Sequence, residues 1–127
     1  MKILDHIQPY VYISLQYSTT LEAKLQAIHY LENVVLPRGK PYATIMDLRG
    51  NEHKIDKAVT AEWTAYNERT KERTKELAIA AVVLNDSSVM RALSNMAIFF
   101  IKLPVETKLL DDIASAVEWI ERFAEKK

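Results

Sequence analysis

Four residues of reactive type fall within the seven positions "DLRGNEH": Asp47, Arg49, Glu52 and His53. Carboxylates next to an imidazole can pass protons, so this group is the candidate acid–base set. It follows "YATIMDL" (42–48), which has the composition of a strand buried on both faces. The set therefore falls just past a strand's carboxyl end, the edge where open parallel sheets bind ligands. It lacks the companions that catalysis needs: no nucleophile, glycine-rich cradle or metal spacing accompanies it. The plainer expectation is an Asp47–Arg49 pair beside a solvated His53. His6, His29 and His53 fall in separate elements without i,i+4 pairing, and cysteine is absent, so no metal site is expected. Gly39 and Gly50 are the only glycines, which removes dinucleotide and P-loop fingerprints. No catalytic residue, metal or cofactor is therefore expected, and the chain reads as a non-enzyme.

The elements that would position these residues alternate. Residues 10–16, "YVYISLQ", are β-branched and aromatic like a strand, paired with residues 2–7. "STTLEAKLQAIHYLEN" has Thr19 and Glu22 at capping-box spacing, with Leu21, Leu25 and Ile28 on one helical face. Asn33 is the expected stop, and "PRGKP" (37–41) a turn. A second helix runs from about Asp56, with Ile55, Val59, Trp63 and Tyr66 spaced for burial. Its end, "ERTKERTKE" (68–76), repeats like charges at i,i+4 and opposite charges at i,i+3, as a solvated helix end does. "LAIAAVVL" (77–84) reads as a central parallel strand. A third helix opens near Asp86 or Ser87, "VETKLL" (105–110) is an edge strand, and "DDIASAVEWIERFAEKK" is a capped terminal helix. There Trp119 and Phe123 stand off the Ile113–Val117–Ile120 stripe, spaced to cover the sheet edge. The order ββαβαβαβα predicts an α/β fold: a mixed, largely parallel sheet of about five strands with four helices.

Composition narrows the function classes. A chain of 127 residues, 49% hydrophobic, suits one globular domain over 1–127. Lys plus Arg equals Asp plus Glu at 17 each, so no global field draws it to nucleic acid. The start, "MKILDHIQPY", has no signal-peptide pattern, and the apolar runs "LAIAAVVL" (77–84) and "MAIFFI" (96–101) are both far shorter than the roughly 20 residues of a membrane span. A cytoplasmic protein is expected, peripheral to the inner membrane if it meets one.

"YATIMDLRG", "LAIAAVVLNDSSVMRALSNMAIFF" and "VETKLLDDIASAVEWI" together resemble the SpoIIAA-like, or STAS-like, family of small bacterial proteins. Their fold is shared with STAS domains and the lipid-binding lobe of CRAL-TRIO proteins. The resemblance spans about residues 10 to 123 and is most specific at Asp47–Gly50 and at "AVEWI" (116–120). It implies a mixed sheet with four helices and no catalytic activity. Anti-sigma-factor antagonists of this kind carry Asp-Ser-Ser-Gly at the start of the second helix, where one serine is phosphorylated. Here Ile55-Asp56-Lys57-Ala58 stands in its place, and no hydroxyl occurs until Thr60, so the phosphoacceptor is missing.

"VMRALSNMAIFFIKL" (89–103) carries more apolar residues than one helix face can bury. On a wheel of 100° per residue, Val89, Leu93, Met96, Phe100 and Leu103 form the core stripe. Met90 and Ile101 share a flank, Phe99 lies on the other, and Ile98 falls on the far side beside Lys102. Four readings compete for the surplus: irregular core packing, a homodimer contact, a docked protein partner, and an apolar ligand cavity or bilayer contact. The leading expectation is a hydrophobic or lipid-like ligand lined by Trp63, Tyr66, Met90, Met96 and Phe99. Ile98, Phe99 and Ile101 would touch the membrane, with Lys102 on a headgroup. The alternative is a STAS-type protein-interaction regulator working without the serine switch.

Overall fold

The computed structural model describes residues 2–5, 7, 9–15, 21–49, 57–85 and 105–125. Five strands form one sheet in consecutive order: β1 (Lys2–Leu4), β2 (Tyr10–Ser14), β3 (Tyr42–Asp47), β4 (Ala78–Leu84) and β5 (Thr107–Leu110). β1 runs antiparallel to β2, and the remaining pairs are parallel. Among the described residues there are three α-helices: α1 (Leu21–Tyr30), α2 (Lys57–Leu77) and α3 (Ile113–Glu125). The chain is α/β with a mixed sheet, as the alternation of strand and helix patterns predicts. The helix expected to open near Asp86 or Ser87 lies outside the described residues, as do the Thr19 cap and the loop bearing Glu52 and His53.

Two cores, one on each face of the sheet, follow from the period-two alternation of the strands. Val11, Ile13 and Leu15 of β2 and its exit, with Tyr42, meet Ala27, Ile28 and Leu31 from α1 and Tyr66 and Leu77 from α2. On the opposite face Ala43 and Ile45 of β3 and Ala80, Val82 and Leu84 of β4 receive Ala116 and Ile120 of α3. Small residues on β3 and β4 let α3 lie close. Its Trp119 and Phe123 stack 5.3 Å apart at the rim of this second core. Asp112 caps α3, its Oδ1 accepting from the Ser115 amide at 2.7 Å.

Asn33 does not stop the first helix. A π turn, Leu31–Val35, and a 3-10 turn, Leu36–Arg38, carry the coil on to Gly39, whose φ of 67° ends it. Burial explains the run-on: Leu31, Val35 and Leu36 are all core residues, and stopping at Asn33 would strand the latter two. The extended coil is then tied down on two sides. The Tyr30 hydroxyl and Arg38 both donate to the Asp5 carboxylate after β1. Arg69 of α2 makes a two-pronged ion pair with Glu32, at 2.9 and 3.0 Å. The "ERTKERTKE" repeat accordingly has its charged residues exposed, but Thr70 and Thr74 turn inward and are buried.

Candidate functional site

Asp47 ends β3 at the carboxyl edge of the sheet, on the α3 face, and its side chain has no solvent exposure. Four donors converge on it. The Tyr12 hydroxyl gives to Oδ2 at 2.5 Å, and Arg49 gives through its amide, Nε and Nη2 at 3.1, 3.0 and 2.8 Å. Burial pushes the Asp47 pKa up, but the hydrogen bonds from Arg49 and Tyr12 outweigh it and leave the net value below 3.8. The same pairing raises the Arg49 guanidinium further above its already high value. A carboxylate with its lone pairs filled this way neither accepts a substrate proton nor binds a ligand. The expected Asp47–Arg49 pair is therefore present and acts as an anchor that turns the chain after β3. Sequence reading missed Tyr12; parallel β2–β3 register, with Tyr12 opposite Ile45, brings it to the same face.

The other face offers a different surface. By alternation Ala81 and Val83 of β4 point to the side that carries α1 and α2, and Thr107 and Leu109 of β5 stand level with them in register. Ala81, Val83 and Leu109 are half-buried and belong to neither core of the described residues. Met46 of β3, half-buried at the edge of the first core, continues this apolar strip, and Val105 closes its amino end. One wall is α2. Arg69 and Arg73 occupy the α2 flank that reaches Glu32 and the Leu36 carbonyl. Asn67 falls roughly 120–160° around the helix from those arginines.

Asn67 is only 8% exposed, and its Nδ2 has no hydrogen-bond partner among the described residues. Nearby, Thr70 Oγ1 donates to the Tyr66 carbonyl at 2.8 Å, and Thr74 Oγ1 to Thr70 Oγ1 at 3.2 Å. Trp63 and Tyr66 form an edge-to-face pair with centroids 5.6 Å apart. Trp63 is half-buried, whereas Tyr66 is 4% exposed and sits deep in the first core, where burial raises its phenol pKa.

Of the residues expected to line a ligand or touch a membrane, only Trp63 and Tyr66 are described. Met90, Met96, Ile98, Phe99, Ile101 and Lys102 lie outside the described residues. Asn67, Thr70 and Thr74 went unread because the charged repeat around them dominates the pattern. The signal was nonetheless present, since residues 63, 67, 70 and 74 follow the i, i+4, i+7, i+11 spacing of a buried stripe. Among the described residues, no group of three potential ligands could hold a metal ion, and no helix is long and apolar enough to cross a membrane. Comparison with protein-family models, with curated proteins and with solved structures returns no match.

Proposed function

We propose that this chain is a non-enzymatic module of SpoIIAA-like fold that binds a hydrophobic or lipid-like ligand and meets the membrane peripherally. The observation that carries the reading is the half-buried apolar strip Ala81–Val83–Leu109, which stands outside both cores of the described residues. Apolar area gains roughly 25 cal/mol per Å² when it leaves water, so such a strip favours an apolar occupant. The mixed sheet in consecutive strand order supports the SpoIIAA-like assignment. Half-buried Trp63 on α2 suits the wall of the site. Met90, Met96 and Phe99 are its further lining by sequence, and Ile98, Phe99, Ile101 and Lys102 its membrane contacts.

Native mass spectrometry of the purified chain, followed by denaturing extraction, tests the reading. A mass excess that leaves as a lipid or another apolar molecule is expected, and Val83→Asp should abolish it. An unliganded mass that persists after incubation with lipid extract would sink the proposal. A stoichiometric protein partner in place of the lipid would favour the STAS-type regulator.

A further inference from the structure

The parallel strands β2 to β5 all begin at one edge of the sheet, and β1 reaches β2 there through residues 5–9. Ile7, in that connection, is 64% exposed, more than any other large apolar side chain of the described residues. Two backbone bonds of 2.9 Å fix its surroundings: the Tyr10 amide donates to the Ile7 carbonyl, and the Ala43 amide to the Pro9 carbonyl. Ala43 follows the loop 36–41, so that loop lies beside the connection, and its Arg38 reaches across to Asp5. Pro37, Arg38, Gly39, Lys40 and Pro41 are all exposed. Val34, 39% exposed, stands about one helical turn from both Tyr30 and Arg38, the two donors to Asp5. Leu4, 40% exposed, precedes Asp5 in β1. Three of the four exposed large apolar side chains among the described residues therefore gather around Asp5.

Their rim is cationic. Residues 33–46 contain no acid. Arg38 is matched by Asp5, and Arg73, which donates to the Leu36 carbonyl beside the loop, has Glu76 at 3.8 Å. Lys40 makes no ion pair among the described residues and is the surplus cation. Aliphatic tips beside an unmatched lysine suit an anionic bilayer, whose acyl boundary takes the tips while its phosphates take the charge. A second copy suits the patch less well. A two-fold contact centred on Ile7 would bring two Lys40 side chains together, like charge against like.

We propose that this edge faces an anionic membrane, with Ile7 entering the headgroup boundary and Lys40 meeting lipid phosphates. The inference rests on the membrane part of the proposed function and adds to it a contact on the described residues.

Co-sedimentation of the full chain with phosphatidylcholine vesicles, with and without phosphatidylglycerol, gives the test. Wild type should bind the anionic vesicles and lose affinity as salt rises from about 0.1 to 0.5 M. Ile7→Ser should bind about tenfold more weakly, the weight of one aliphatic side chain leaving the boundary. Lys40→Ala should lose about fivefold, near 1 kcal/mol for one charge, and show a flatter salt dependence. Both side chains are exposed, so neither variant should alter the circular dichroism. Variants that bind as wild type does would overturn the inference and leave the membrane reading standing on its other contacts. A wild-type chain that binds neither vesicle would remove that reading as well. A dimer in light scattering that Ile7→Ser turns into a monomer would also overturn the inference, with a second copy as the occupant.

Discussion

Asp47 and Asn67 are both buried polar residues, one on each face of the same sheet, and they are satisfied in opposite ways. Asp47 is a charge taken fully out of water, and four donors from Tyr12 and Arg49 surround it. Asn67 is neutral, nearly as buried, and its Nδ2 has no partner among the described residues. The contrast separates fold from function. A residue that looked reactive in sequence, a carboxylate at the carboxyl edge of a parallel sheet, is consumed by the fold. A residue that looked like helix surface is buried with its amide donor unmet among the described residues. Reactive type and favourable position identify a site only when the group's hydrogen-bonding capacity is unspent.

Three measurements sharpen this comparison. The largest effect should come from Asp47→Ala, which strips the partner from a buried ion pair and from the Tyr12 hydroxyl. Urea denaturation should show a loss of about 3 kcal/mol; a loss within error would mean that Arg49 and Tyr12 are as well served by water. A smaller effect should appear in the acid limb of stability. The folded pKa of Asp47 lies below its ordinary 3.8. Its contribution is therefore complete above that value and is lost as pH falls through the depressed folded value. Asp47→Asn, starting from lower stability, should decline less steeply across that window, and parallel acid limbs would contradict the assignment. The smallest effect, of opposite sign, is expected for Asn67→Leu in lipid-free protein. Removing an unpaired buried amide should raise stability by about 1 kcal/mol. A loss would show that Asn67 already has a structural partner.

Much of the fold was legible because its elements announce themselves locally. "YATIMDL" read as a strand buried on both faces and "LAIAAVVL" as a central parallel strand, and β3 and β4 are flanked by strands and each contributes residues to both cores. "DDIASAVEWIERFAEKK" marked α3 with its cap, but of the expected Ile113–Val117–Ile120 stripe only Ile120 is fully buried: Val117 packs at the edge of the second core, Ile113 is 40% exposed, and Ala116 takes the buried place. The Asn33 stop failed for a physical reason: Val35 and Leu36 have a core to fill, and that burial outweighs a local preference for ending the helix. The second helix shows the same hierarchy. Charge periodicity in "ERTKERTKE" describes its wet face well, and says nothing of Thr70 and Thr74 on the dry one.

The sequence by itself determined the order of the described strands and helices, the α/β class and the pairing of Asp47 with Arg49, since each depends on residues close along the chain. Tertiary structure decided the rest. Parallel register brought Tyr12 to Asp47, from 35 positions away. Stacking of α2 beside α1 turned Arg69 and Arg73 toward Glu32 and Leu36 and, by the geometry of the helix, set Asn67 on the opposite flank. Whether a buried polar group is paired depends on what distant segments bring to it, and local spacing carries no record of that.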